Sequence, residues 1–227
     1  MIDWRWILKN RVLPSRMPEP ELQVKHALLQ VHGTLFVDIG ANFGMYSLLL
    51  RKNFEKIVAI EPSPYSLPTL TRRTRRCGNI TIMNLALSDR DETATLFVSS
   101  PRQEPKRRFL LRWYYHVKWY SPHGGDTLLE VHPQGAQNAS TVDVKTLRYD
   151  SLFSNLKVDL VKMDVEGGEF KVLAGMHESL SRGKVHNIVV EIHDDSRRSS
   201  LESILNGYNF VPEWVDSNHI LGRLQFD

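Results

Sequence analysis

Five short apolar runs, most of them followed by a helical pattern, constrain this chain more than any other feature. They are "TLFVDI" (34–39), "KIVAIE" (56–61), "NITIMNLAL" (79–87), "VDLVKMD" (158–164) and "NIVVEIH" (187–193). Several are apolar on both faces, which is the mark of strands covered on both sides. "GMYSLLLRKN" (44–53), "SPYSLPTLTRRTRR" (63–76), "GGEFKVLAGMHESL" (167–180) and "RRSSLESILNGY" (197–208) read as the covering helices. The expected fold is therefore α/β, a doubly wound, Rossmann-like and mostly parallel sheet. "NFVPEWV" and "HILGRLQF" predict a terminal antiparallel hairpin. The alternating runs "ETATLFV" and "STVDVKTL" predict an inserted strand pair.

A chain of 227 residues has room for one large domain and a short extension. Residues 1–32 are assigned to an N-terminal extension and helix, with "PEPELQVKHALLQV" starting the helix near Pro20, and 33–227 to the main domain. A long segment at 101–138 interrupts that domain. The single cysteine, Cys77, can form neither an internal disulfide nor a thiolate metal site alone, which suits a reducing, cytoplasmic setting. No apolar run approaches the ~20 residues that span a bilayer. "MIDWRWILKNRVLP" is too short and too interrupted by charge for a signal peptide. The oligomeric state is not indicated.

In doubly wound folds ligands sit beyond the carboxyl ends of the strands. The first such end, "VDIGANFG", carries Gly40 and Gly44 around a tight turn, with a helix following. A dinucleotide fingerprint would have a third glycine where Asn42 stands. Asn42 crowds a pyrophosphate but can hydrogen-bond an amino acid moiety, and Asp38 suits an ammonium group. Glu61, about 20 residues on, is placed to accept two ribose hydroxyls, with Pro62 beside it. Asn84, or the backbone around Leu87, falls where an adenine would lie. A nucleoside joined to a cationic amino acid describes S-adenosylmethionine, and Asn42 and Asp38 argue against an NAD-dependent dehydrogenase.

With those residues in view, the sequence resembles the FkbM family of class I S-adenosylmethionine-dependent methyltransferases. "FVDIGANFGMYSLLL", "IVAIEPSP", "NLALSD", "LVKMDVEGGEFKVLAGM" and "IVVEIH" match that family's blocks in order, over roughly Thr34 to Asp194. "KMDVEGGE" is the most specific of them. The resemblance implies O-methylation of sugar or polyketide hydroxyls. It also implies a cofactor held by Asp38, Gly40, Asn42, Gly44 and Glu61, with Asp164 at the methyl end.

Methylating a hydroxyl calls for a group that accepts its proton. Asp164 and His193 are the first candidates, then Glu166 and Glu191. Glu191 and His193, two apart, share a strand face. Asp164, Glu191 and His193 with Asp194 or Asp195 leave a divalent metal open, but no fixed-spacing signature predicts one.

Two basic stretches bear on partners. "RRTRR" (72–76) reads as a solvated helix face. "KRRFLLRWYYHVKWY" (106–120) fits a lid packed on the core, a sugar platform, a membrane-surface helix or a nucleic-acid contact. With the N-terminal "WRWILKNR", it keeps a lipid-linked substrate and a peripheral membrane location in play. The leading expectation is a small-molecule or glycan O-methyltransferase. An RNA methyltransferase using the basic segments is the alternative, tempered by a net charge of only +3. A cofactor-binding protein without catalysis is a further one.

Overall fold

The computed structural model describes residues 19–99 and 139–225. The N-terminal stretch and the 101–138 segment, with every expectation attached to them, lie outside the described residues.

Ten strands are described. In chain order they begin with β1 (Gly33–Ile39), β2 (Phe54–Ile60), β3 (Ile80–Met83), β4 (Ala86–Leu87) and β5 (Glu92–Ser99). The others are β6 (Ala139–Leu147), β7 (Leu160–Met163), β8 (Asn187–Glu191), β9 (Phe210–Trp214) and β10 (His219–Leu224). A seven-stranded sheet forms the centre, in the order β3-β2-β1-β7-β8-β10-β9. Its first five strands are parallel, and β10 turns antiparallel between β8 and β9. Strand order reverses between β1 and β7, so the cleft above their carboxyl ends is the place for a ligand. Pro212 sits in β9, the edge strand, where its missing N–H breaks no interior ladder.

The central strands bury alternate residues in opposite layers, as a period of two requires. Val37, Val161, Ile188 and Ile220 face one core, with Tyr149 and Phe153 of α4 (Tyr149–Phe153), Val172 of α5 (Glu169–Ala174), Leu180 of α6 (His177–Ser181) and Leu201 of α7 (Arg198–Gly207). Phe36, Leu160, Val189 and Leu221 face the other, under Val24 and Leu28 of α1 (Glu19–Leu29) and Tyr46 of α2 (Met45–Leu49). Leu70 of α3 (Leu67–Thr74) packs on Ala41 and Ala59. Phe36 is fully buried, and burial of such a side chain contributes about 1.5–3 kcal/mol. Among the described residues no helix is long and apolar enough to cross a membrane.

Two local expectations change. "NITIMNLAL" is not one strand: β3 stays in the main sheet, while β4 joins a second sheet ordered β4-β6-β5. The inserted pair is thus a three-stranded sheet. "GGEFKVLAGMHESL" divides into α5 and α6 around Gly175. A Cβ there would lie 2.1 Å from the Ser88 carbonyl oxygen, so only glycine lets this helix corner close on the loop after β4.

Candidate active site

The cleft lies where the two sheets meet the switch point. Its walls are Ile39, Gly40 and Asn42 after β1, then Ile60, Glu61, Pro62 and Ser66 after β2. Leu85, Ala86, Leu87 and Leu96 form an apolar side, and Asp164, Val165, Glu166 and Gly168 the far end.

The turn after β1 is drawn tight by backbone bonds. The Gly40 and Ala41 amides both donate to the Ile60 carbonyl, 3.0 Å away. At Gly40, φ is 73° and a Cβ would stand 1.7 Å from the Asp164 carbonyl oxygen. Only glycine allows β1 and β7 to end this close together. Gly44, also left-handed, opens α2. The Arg73 guanidinium donates to the Phe43 carbonyl at 2.9 Å, so this member of "RRTRR" braces the turn and is not part of a solvated face.

Glu61 is almost fully buried, at 6% exposed. One carboxylate oxygen accepts from the Asn42 amide (2.7 Å) and the other from the Ser63 amide (2.8 Å). These two amide bonds fix the orientation of the carboxylate at the strand end. The Asn42 side-chain oxygen accepts from Ser66 Oγ at 3.2 Å, and its backbone takes the left-handed φ of 48° that asparagine tolerates.

Three cofactor candidates are off the cleft wall: Gly44, at the head of α2, Asp38 and Asn84. Asp38 is 1% exposed and is not on the cleft wall. Strand alternation turns it toward α2, where Oδ2 accepts from the Ser47 amide (3.0 Å) and Ser47 Oγ (2.6 Å). Burial raises its pKa, against the nearby Lys162 cation and the Ser47 bonds. Asn84 is exposed and off the wall, because the chain crosses from β3 to β4 there. Leu85, Ala86 and Leu87 line the cleft in its place.

At the far end charges interlock. Lys162, 2% exposed, points the same way as Asp38, with its Nζ 4.9 Å from the centre of the Tyr46 ring. Its Nζ donates to Asp164 Oδ2 at 2.9 Å. Burial disfavours that charge, but Asp164, Asp38 and Glu191 together outweigh burial, so its pKa is raised. His193 stands just past β8, with its Nδ1 2.8 Å from the buried Glu169 and its Nε2 3.2 Å from Glu166 and 3.8 Å from Asp164. Glu169 also accepts from the Gly167 amide at 2.8 Å. Burial works against the imidazolium, yet the Glu169 hydrogen bond, Glu166 and Asp164 push its pKa up to about 9. Glu166 reaches the ring from a strained left-handed backbone, φ 52°.

Glu191 closes the set. His219, opposite it in the β8–β10 register, brings its Nε2 to 3.2 Å from the carboxylate. Despite burial, the contact with His219 and the charges of Lys162, His219 and His193 hold Glu191 down at about 2. Asp164, Glu191 and His193 each bring one oxygen or nitrogen within 4.8 Å of the others, a grouping a metal ion would accept. Lys162 already gives Asp164 a counter-cation and His219 gives Glu191 one, so no metal is assigned.

The structure thus brings Asp164, Glu166, Glu191 and His193 together, and adds Lys162, Glu169 and His219, which sequence reasoning did not single out. A charge inside the apolar run "LVKMD" was the available signal for Lys162. His219 had none, because its place follows from strand register.

A family model described as the methyltransferase FkbM domain matches residues 38–212. The chain belongs to the FkbM methyltransferase family. It is 26% identical over 202 residues to the 31-O-demethyl-FK506 methyltransferase FkbM of Streptomyces tacrolimicus, covering 83% of this chain and 76% of that one. It is 25% identical over 198 residues to the hexuronic acid methyltransferase AglP of Haloferax volcanii, covering 84% and 70%. The crystal structure of a methyltransferase FkbM from Methylobacillus flagellatus shares the fold, with a TM-score of 0.54 at 15% identity. That match covers 96% of this chain and 59% of the solved one. Membership of this family makes the chain a methyltransferase and implies S-adenosylmethionine as the donor.

Proposed function

We propose that this FkbM-family methyltransferase transfers the methyl group of S-adenosylmethionine to a hydroxyl of a sugar, glycan precursor or secondary metabolite, with His193 receiving the hydroxyl proton. The cleft residues fit the donor. Glu61, on the cleft wall at the end of β2, stands where the ribose hydroxyls of the donor belong, and Leu85, Ala86, Leu87 and Leu96 offer an apolar side to adenine. Gly40 and Asn42 shape the turn after β1 and Pro62 the end of β2, and Asp164 and Glu166 stand at the methyl end. When bound, the cofactor supplies a methyl group on a cationic sulfur.

His193 carries this reading. Glu169 fixes its Nδ1 and thereby its tautomer, leaving Nε2 turned to the cleft-wall carboxylates Asp164 and Glu166. With those carboxylates around it the ring holds its proton at neutral pH, at a pKa of about 9. It loses part of the carboxylate field that keeps the proton once a cation sits beside Asp164 and Glu166. A base orientated by a buried carboxylate is the arrangement that hydroxyl activation needs. Asp164, tied to Lys162, serves better as a fixed negative charge than as a proton acceptor.

An oxygen acceptor is also what the name of the 31-O-demethyl-FK506 relative suggests, and the hexuronic acid relative is named for a sugar acid. The RNA alternative is not favoured: Arg73, in the middle of "RRTRR", is spent on bracing the glycine turn. An acceptor screen with glycosides, sugar acids, polyketide alcohols and RNA, read by release of S-adenosylhomocysteine, tests the proposal. A methyl ether on a hydroxyl compound, formed at a rate insensitive to salt, is expected. Turnover on RNA alone, with an affinity that falls steeply with salt, would replace it.

A further inference from the structure

Glu191 is the member of the charged cluster that is held from the neighbouring antiparallel strand β10. His219 faces it across the antiparallel β8–β10 pair. The imidazole is 5% exposed, and its Nδ1 lies 2.9 and 3.0 Å from the two oxygens of Asp216, itself 4% exposed. Asp216 in turn is tied down by the Asn218 and His219 amides, both at 2.8 Å. The turn between β9 and β10 therefore fixes an acid, the acid fixes a ring, and the ring points its Nε2 at Glu191. That nitrogen is buried 3.2 Å from the carboxylate, so it holds Glu191 by charge and contact. Glu191 keeps 24% of its side chain exposed, and its carboxylate shares the 4.8 Å grouping with Asp164 and His193.

A buried histidine clamped by a buried aspartate serves no packing need that an apolar residue would not meet better. Its output is a carboxylate held ionised and aimed. Such a carboxylate is a weak base but a strong acceptor of hydrogen bonds. It lies beyond Asp164 as seen from Glu61, on the side where His193 stands. We propose that Asp216 and His219 are positioning residues that aim Glu191, and that Glu191 receives a hydrogen bond from a second hydroxyl of the acceptor, beside the one that is methylated. The acceptor class is thereby narrowed to polyols, sugars foremost. This rests on the hydroxyl-methylation reading above. It revises Glu191 from a proton acceptor to a substrate-holding group.

The test uses the full chain saturated with S-adenosylhomocysteine and labelled with 13C at glutamate carboxyls, the Glu191 signal being assigned by Glu191→Gln. D-glucose, D-galactose and glycerol are titrated in at neutral pH as probes. A saturable shift of the Glu191 signal is expected with at least one of them in the wild type. In His219→Leu the affinity for that probe falls at least about tenfold, the loss of a hydrogen bond to a charged group. His219→Gln, whose amide can stand where Nε2 stood, recovers part of it. Because the His219→Leu change alone could disturb the fold, thermal unfolding of each variant is read alongside, and the His219→Gln variant carries the comparison if the other melts early. A Glu191 signal that no probe moves overturns the proposal, as does a probe affinity unchanged in both variants. Failure of the underlying reading looks different: in the acceptor screen no hydroxyl compound would be methylated, whatever the Glu191 signal does.

Discussion

Along the ends of β1 and β2 the cleft is made of backbone, glycine and apolar side chains, with Glu61 as the charged wall. Along β7, β8 and β10 the charges that reach the wall are Asp164 and Glu166, and behind them Lys162, Glu169, Glu191, His193 and His219 each lean on another charge. The first side is fixed by shape. Its bonds tie the adjacent ends of β1 and β2, as Asn42 to Glu61 and Ser66 to Asn42. The second is fixed by charge, across three strands that meet only in the folded sheet. A rigid cradle suits a cofactor that is always the same, and a titratable wall suits the step in which a proton moves.

The sharpest break of this contrast is His193→Gln. If the charged side does the chemistry, kcat falls by about 10²–10⁴. S-adenosylmethionine affinity, measured by calorimetry, stays within about threefold, since a side chain outside the cleft wall leaves the cradle intact. Equal losses in kcat and cofactor affinity would erase the distinction. Gly40→Ala attacks the cradle instead. The new methyl meets the Asp164 carbonyl at 1.7 Å on a left-handed backbone, so both ends of the cleft must part. A loss of about 3 kcal/mol is expected, seen as a melting temperature roughly 6–12 °C lower. A third variant, Glu61→Gln, keeps the shape and removes the charge. Cofactor binding should weaken about 10- to 100-fold, as for a lost charge-assisted hydrogen bond, with kcat at saturation nearly unchanged.

The smallest expected effect is in pH. His193 rises from 6.5 to about 9 in the fold, so the folded state favours the protonated ring. Its contribution to stability is complete below about pH 6.5 and disappears as pH climbs through 9. Melting temperature of the cofactor-free protein should therefore slip by a few degrees over that interval. Glu166→Gln removes one carboxylate from the ring and should shrink the slip. No pH response in the window would detach His193 from the cluster.

The cradle was largely legible in the sequence because its signals are local. The turn glycines, Glu61 at the next strand end and the blocks of the family lie in short stretches, and residues 38–212 match the family model. Even there, Asp38 departs from expectation. Strand alternation turns it away from the cleft toward Ser47, and a buried partner is not visible in a linear pattern. The charged side was legible in its residues but not in its wiring. "KMDVEGGE" holds Asp164 and Glu166, yet the grip of Glu169 on His193 depends on how α5 meets the end of β8. His219 faces Glu191 only because β10 returns antiparallel, in one register, beside β8. Register is set by packing over the whole sheet, and a one-residue slip would place Ile220 or Asn218 there.

The measurement closest to the central claim is thermal unfolding of the wild type and Glu61→Gln with S-adenosylmethionine, S-adenosylhomocysteine and NAD in turn. A ligand at about 100 times its dissociation constant stabilises by about 2.7 kcal/mol, several degrees for a chain of this length. The account predicts that both sulfur ligands raise the wild-type melting temperature, that NAD does not, and that Glu61→Gln needs roughly 10- to 100-fold more of either to match it. Stabilisation by NAD alone, or by the sulfur ligands equally in both proteins, would contradict it.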